Sequence, residues 1–370
     1  MRNINCLAVV LATFGCLACR GVPSSSTNED LLDATSSDID GGEIDSMSVG
    51  LSPSDTRVVR DAAHAILLRQ DSDGAIFNGP TSLPDNRVVP YFGNLAARSL
   101  CMAAVTLGDA SYSVAARRWL DWYAAHMNTN GTVNDYTSAS GVLTTTGDFD
   151  STDSYGATFV DAVYHCNIAM PGLETELAGP VASALSAVDL TYQSDGLTFA
   201  KPSYRIKYTM DNVEVRRGFS AGSLVAPTTT EANARSAKAS QTLTAIDDLL
   251  WVAASGRYSS GMDDVGGLTP VADAWYPDDM AQLMAIAWLP RSPRRDGLYA
   301  SLNASSFNVP SSITDAQGAE YAEWWGVAAK TMADATTIET VKSRFTQMNF
   351  TSVLLNSAAD YGHVISIFVE

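Results

Sequence analysis

Asp150-Ser151-Thr152-Asp153-Ser154-Tyr155-Gly156-Ala157-Thr158-Phe159-Val160-Asp161-Ala162-Val163-Tyr164-His165-Cys166 is where a long polar connection turns into a helix. Residues 128–154 are dominated by Gly, Asn, Ser, Thr and Asp, and from 155 to 168 apolar residues recur at helical spacing. Asp, Ser and Thr at such a junction cap the first free N–H groups, and the helix dipole favours a carboxylate there. Capping alone accounts for one such motif. Its recurrence along the chain decides the fold.

Three other polar stretches end alike: Arg87-Val88-Val89-Pro90-Tyr91-Phe92-Gly93-Asn94, Tyr208-Thr209-Met210-Asp211-Asn212-Val213-Glu214 and Trp275-Tyr276-Pro277-Asp278-Asp279. Tyr91, Tyr155, Asp211 and Asp278 stand 64, 56 and 67 residues apart, a weak repeat of one hairpin plus one long loop. Glu320-Tyr321-Ala322-Glu323-Trp324-Trp325 is a closer-set fifth, inside a helix. Periodicity predicts twelve helices, near 54–69, 93–107, 111–127, 155–168, 174–190, 212–226, 228–255, 278–289, 293–304, 315–332, 335–347 and 350–358. Connections after the second, fourth, sixth, eighth and tenth are short, which makes the joined helices antiparallel. Connections ahead of the second, fourth, sixth and eighth are long and polar (70–92, 128–154, 191–211 and 256–277), and 305–314 is a shorter one. The pattern predicts an all-α fold: an (α/α)6 toroid of six helical hairpins over residues 53–370. Its long loops gather on one face, where the inner helices begin, and loops of that length are usually functional. The clearest strand signal is His363-Val364-Ile365-Ser366-Ile367-Phe368.

The rest of the 370 residues bounds the setting. Met1-Arg2-Asn3 and the apolar run Ile4 to Ala18 read as a signal peptide, too short to span a bilayer. Small residues precede Cys16 and Cys19, so the chain reads as an exported, membrane-anchored lipoprotein, with Cys19 preferred to Cys16 for lipidation. Residues 20–52 are rich in Ser, Thr, Asp and Gly and read as a flexible tether. The net charge of −18 disfavours nucleic acid, whose phosphates need Lys and Arg. Cys101 and Cys166 are the cysteines beyond the leader, ten and eleven residues after Tyr91 and Tyr155. On adjacent inner helices they would lie at similar depth. Two separate buried thiols is the commoner outcome for such a pair, and a disulfide the alternative. Beyond the leader no CxxC is present, and the chain has no HExxH, P-loop or GxGxxG, so no metal and no organic cofactor is expected. Met262-Asp263-Asp264-Val265, continuing into Gly266-Gly267, reads as a turn rather than a magnesium motif.

Chemistry concentrates at the loop ends. Tyr91, Tyr155, Trp275, Tyr276, Trp324 and Trp325 are not needed for capping, and their faces suit the apolar faces of sugar rings. Arg87, Asn94, Tyr208, Asn212 and Asp278 join them as candidate contacts to hydroxyl groups. Cleavage of a glycosidic bond needs one carboxylic acid and a second carboxylate as base or nucleophile. Asp150/Asp153 and Asp211/Glu214 open consecutive inner helices, whose termini should be roughly 10 Å apart. Asp153 and Glu214 are the first candidates, with Asp150 and Asp211 as close substitutes and acid and base left unassigned. The alternative is four caps, or partners for Arg205, Arg216 or Arg217.

Three runs, Val88 to Ala97, Ser151 to Phe159 and Tyr208 to Glu214, resemble the six-hairpin glycosidase-like group, and the resemblance covers roughly residues 55–358. It implies an α/α toroid with its cleft at the N-terminal ends of the inner helices. That group includes hydrolases, lyases and phosphorylases, so the resemblance supports the carboxylates without assigning them. The leading expectation is a monomeric hydrolase acting on a neutral oligo- or polysaccharide, by inversion. A non-catalytic glycan-binding lipoprotein and a polysaccharide lyase are the alternatives.

Overall fold

The computed structural model describes residues 50–81, 85–139, 142–305, 309–350 and 352–369. The leader with Cys16 and Cys19, and nearly all of the tether, lie outside the described residues. Outer α1 (Pro53–Leu67) leads to inner α2 (Pro90–Leu107), and outer α3 (Ala110–Ala125) to inner α4 (Asp153–Ala169). The single turn α5 (Leu173–Glu176) and outer α6 (Ala178–Asp189) lead to inner α7 (Thr209–Leu224). Outer α8 (Thr229–Ala245) leads to inner α9 (Met280–Trp288), outer α10 (Pro293–Ser305) to inner α11 (Ala316–Met332), and outer α12 (Ala335–Gln347) to inner α13 (Ala358–Val369). The inner helices pack in chain order, and α13 returns to α2, which closes the ring.

The two rings differ in burial for a reason visible in their residues. Outer α12 buries Thr337, Val341 and Phe345, one stripe at a spacing of four. Inner α4 buries every residue from Asp153 to Val163. A helix enclosed on all sides must be apolar or hydrogen-bonded all round, so it loses the one-sided period. Close approach then depends on small residues: a Cβ added at Gly218 on α7 would lie 2.6 Å from the Cα of Ala157 on α4.

Enclosure also explains the main correction to the sequence reading. Residues 363–368, expected as a strand, belong to α13, and residues 350–358 do not form the last helix. Val364, Ile365, Ile367 and Phe368 are all buried inside the ring, so a run of β-branched residues there reflects surroundings rather than strand pairing. The helix expected over 228–255 ends at Ala245, in a wide turn over Ile246–Leu250. Cys101 on α2 and Cys166 on α4 form a disulfide rather than two separate thiols.

The loops carry short strands that the helical reading did not contain. β1 (Asp85–Val88), β2 (Tyr136–Ala139) and β3 (Val142–Thr145) make an antiparallel sheet in that order, with Val88 opposite Tyr136. It joins the long loops ahead of α2 and α4. β4 (Lys207–Tyr208), β5 (Trp251–Val252), β6 (Arg257–Tyr258) and β7 (Gly261–Met262) form two ribbons, β4 with β7 and β5 with β6. Asp263 makes the expected turn, its Oδ1 accepting from the N–H groups of Val265 and Gly267.

Candidate active site

A cavity of about 740 Å³ lies at the face where the inner helices begin. All six contribute to its wall: Tyr91 and Leu95 from α2, Ser154 and Tyr155 from α4, Asp211 and Glu214 from α7, Met280 and Met284 from α9, Glu320 and Trp324 from α11, Asp360 and His363 from α13. The loops add Arg87, Asp135, Phe149, Asp150, Lys201 and Tyr276.

Among the carboxyls that line the cavity on the α4–α7 side, Glu214 is the most buried, 3% exposed. The Tyr91 hydroxyl donates to its Oε1 at 2.6 Å. Burial, and the Asp153 carboxylate behind it, push the Glu214 carboxyl well above the usual range; Tyr91 and Arg217 pull it back. Burial and the carboxylates of Asp153, Glu214 and Asp150 push half-buried Asp211 up as well. Asp150 sits exposed at the rim. One cavity wall therefore carries two carboxyls that resist ionisation and a third open to water.

Asp153 has a different place. It is fully buried behind the wall and does not line the cavity. Its Oδ1 accepts from the Ser151 hydroxyl at 2.5 Å and the Ser154 N–H at 2.8 Å, and its Oδ2 from the Thr198 hydroxyl at 2.6 Å. Burial raises it to about 6, despite those three donors. It ties the start of α4 to the loop ahead of α7.

Tyr155 donates to Asp135 Oδ1 at 2.7 Å, and Arg87 Nη2 lies 3.4 Å from Asp135 Oδ2. Lys201 holds Asp148 at 3.2 Å and the Phe149 carbonyl at 2.8 Å. On the α11–α13 side, Asp360 accepts from the Ser357 N–H and hydroxyl at the start of α13. His363 Nδ1 lies 3.2 Å from Oε1 of fully buried Glu323, with the Trp324 ring 4.5 Å away.

Of the residues singled out from sequence, Arg87, Tyr91, Asp150, Tyr155, Asp211, Glu214, Tyr276 and Trp324 meet in the cavity wall. The others do not line it. Asn94 donates to the Tyr155 carbonyl and the Thr158 hydroxyl and accepts from the Trp119 indole, locking α2 to α4 and α3. Asn212 clamps the Thr198 backbone from both ends of its amide. Asp278 is buried, accepting from Ala272 N–H. Trp325 packs in the core against Tyr299, Trp275 against Tyr321, and the Tyr208 hydroxyl against that of Tyr204. A buried side-chain amide facing a backbone is a satisfied structural group before it is a ligand contact.

Asp135, Lys201, Glu320, Asp360 and His363 line the cavity without having been singled out as site residues. Ser357 followed three residues on by Asp360, ahead of an apolar run, is a capping-box spacing that could have marked the start of α13. Asp135 and Lys201 sit in loop interiors, away from the junction motifs. Among the described residues no three or more His, Cys, Asp or Glu side chains are grouped to hold a metal ion.

No protein-family model matches the sequence, and no curated protein matches it. Solved structures match the fold. The chain superposes on D-mannose isomerase with a TM-score of 0.60 and 10% identity, over 86% of this chain and 97% of that one. It superposes on a rhamnosidase from Klebsiella oxytoca with rhamnose bound, with a TM-score of 0.59 and 15% identity, over 87% and 66%. For a novel alpha-amylase from Clostridium perfringens the values are 0.58 and 8%, over 85% and 97%. At these identities the likeness is one of fold, the α/α toroid.

Proposed function

We propose that the cavity hydrolyses a glycosidic bond of a neutral oligo- or polysaccharide, with inversion. The observation that carries this reading is the meeting of Glu214, Asp211 and Asp150 in one aromatic-walled cavity, two with raised proton affinity and one exposed. Glu214 is the general acid. With Oε1 engaged by Tyr91, its proton sits on Oε2 and passes to the leaving oxygen as the C–O bond breaks. Asp150 is the base, taking a proton from the water whose oxygen bonds to the anomeric carbon. Asp211 feels the charges of Asp153, Glu214 and Asp150, and Asp153 is a positioning residue. Tyr91, Phe149, Tyr155, Tyr276 and Trp324 supply ring faces for sugars. The likeness to a rhamnosidase and an alpha-amylase accords with glycoside chemistry on this fold.

The test is cleavage of a panel of neutral glycans and activated aryl glycosides. Glu214→Gln is expected to lose about 10²–10⁴-fold on glycans but far less on aryl glycosides, whose leaving groups need no proton. Asp150→Asn should lose both and regain turnover with azide, giving a product of inverted configuration. Equal losses by Glu214→Gln on both substrate kinds would remove the acid assignment.

A second reading rests on His363. A cavity histidine oriented by the Glu323 carboxylate can move protons near neutral pH, which glycoside hydrolysis does not require and aldose–ketose exchange does. D-mannose isomerase is among the matched folds. Conversion of mannose to fructose followed by NMR, with no glycoside cleaved, would replace the hydrolase reading.

A further inference from the structure

Aromatic rings continue past the mouth of the cavity. Lys201 lines the cavity wall and exchanges backbone hydrogen bonds with Tyr204. The Tyr204 N–H donates to the Lys201 carbonyl at 2.9 Å, and the Lys201 N–H to the Tyr204 carbonyl at 3.4 Å. Tyr204 therefore stands directly outside the wall. Its hydroxyl lies 3.0 Å from that of Tyr208, with the ring centroids 6.3 Å apart and the ring planes 35° apart. Tyr208 ends β4 opposite Gly261 on β7, where an added Cβ would lie 3.3 Å from the Tyr208 ring. A glycine there lets the ring lie close against the facing strand.

The rings lead back to the reaction site. Asp211, three residues after Tyr208, lines the cavity, and so does Tyr276. Burial first, and then Tyr204, Asp211 and Tyr276, raise the proton affinity of the Tyr208 hydroxyl, so Tyr208 is within electrostatic reach of both cavity residues.

These rings do little for the fold. Tyr204 is 47% exposed and Tyr276 66%, and neither lies on an inner or outer helix. The Tyr204 hydroxyl is met by that of Tyr208 at the surface, not by a group of the core. Single exposed rings need no explanation, but rings linked across loops at a cavity mouth do. The loops are also pinned to each other. Lys207 pairs with Met262 on the β4–β7 ribbon, and Arg205 Nη1 lies 3.9 Å from Asp264 Oδ2. Rings held in place beforehand lose little freedom when something lands on them.

A ligand for this surface needs flat apolar patches and hydroxyl groups. Each tyrosine offers a ring face and a hydroxyl that both donates and accepts. The charges of Arg205 and Asp264 offset each other beside the rings. A neutral glycan meets these conditions. The cavity, at about 740 Å³, is of the size that encloses one drug-sized ligand. A polysaccharide seated in it must continue over the mouth.

We propose that Tyr204, Tyr208 and Tyr276 form an outer subsite that stacks the sugar units of a neutral polysaccharide just outside the cavity. The preferred substrate is then a chain longer than the cavity encloses. This rests on the carbohydrate reading of the cavity.

The test compares chain lengths. Calorimetry measures binding of malto-, cello-, manno- and xylo-oligosaccharides, dimers to octamers, to the full chain carrying Glu214→Gln, so that nothing is cut. Affinity should rise with length. Adding Tyr204→Ala and Tyr208→Ala together should weaken octamer binding by about tenfold, with a much smaller effect on the dimer. Tyr204→Phe keeps the ring and should keep most of the gain with length. A gain that survives the double variant overturns the inference, as does equal weakening of dimer and octamer, which a distorted cavity would produce. If the double variant does not fold, Tyr204→Ala alone, at an exposed position, decides in the same way. A changed oligomeric state in Tyr204→Ala with oligosaccharide binding intact also overturns it, and makes the patch a contact between copies. Failure of every series to bind removes the carbohydrate reading and the inference with it, whereas binding without an outer contribution removes the inference alone.

Discussion

The α2–α4–α7 arc and the α9–α11–α13 arc are built from the same hairpins but secured by different means. In the first, the Cys101–Cys166 bond joins α2 to α4, Asn94 bridges the same pair, and Asp161 holds arginines from α2 and α7. In the second, rings do the packing: Trp288 on Trp324 at 5.2 Å, Trp324 on His363 at 4.5 Å and Tyr299 on Trp325 at 6.1 Å. Covalent and charged contacts fix direction, whereas ring faces tolerate small shifts. Proton transfer to a leaving oxygen is sensitive to displacements of that size, and stacking on a sugar is far less so. Under the proposed hydrolysis, the first arc is assigned catalysis and the second substrate contact.

Glutamates from the two arcs give the largest contrast. Glu214→Gln on the first should cut kcat by about 10²–10⁴-fold, the usual contribution of a general acid. Glu320→Gln on the second should cost less than about tenfold and act mainly through KM, because it touches ground state and transition state alike. Michaelis kinetics of both variants on one glycan decide it. Equal losses in kcat would mean that the arcs are not functionally distinct.

The two arcs were also unequally legible from sequence. The first announces itself through loop-end motifs, so Tyr91, Tyr155, Asp211 and Glu214 could be placed in one mouth before any coordinates. What sequence could not supply was the facing partner. Asn94 and Asn212 look like hydroxyl-binding groups until the Tyr155 carbonyl and the Thr198 backbone are seen against them. Asp153 and Asp150 are equivalent as letters and differ only in which side of the wall they occupy. The last hairpin was misread because α13 is enclosed on every side, which erases the helical period and leaves Val364-Ile365-Ser366-Ile367 resembling a strand. With α13 misread, Asp360 and His363 had no helix start to belong to, and that side of the cavity went unseen.

The covalent tie offers the next contrast. A bond across 65 residues of sequence restricts the unfolded chain, and in the chain-entropy account that is worth about 4 kcal/mol. Cys101→Ala combined with Cys166→Ala should therefore lower the urea midpoint strongly, and a reductant should lower the wild type toward it. Catalysis below the melting range should persist, since Asn94 and Asp161 still set α2 against α4. Unchanged urea midpoints would show that the first arc does not depend on its bond.

The smallest expected effect isolates what Asp153 does to folding. Its carboxyl titrates at about 6 in the folded chain against an ordinary 3.8, because burial outweighs the donors from Ser151, Thr198 and Ser154. Between those values the folded chain keeps a proton that the unfolded chain has released. The stability contributed by the protonated group is therefore complete below pH 3.8 and is lost as pH rises through 6, by about 3 kcal/mol across that window. Asparagine has no charge to bury, so Asp153→Asn should flatten this part of the profile. It also fits the local hydrogen bonds. Its amide can donate to the Thr198 hydroxyl, which turns to donate to Asn212 Oδ1 at 3.1 Å, while its carbonyl keeps Ser151 and Ser154. Urea denaturation of both proteins from pH 4 to 7 measures the difference. A variant whose stability falls as steeply as the wild type over that range would mean that the Asp153 proton is not what couples the α4–α7 junction to pH.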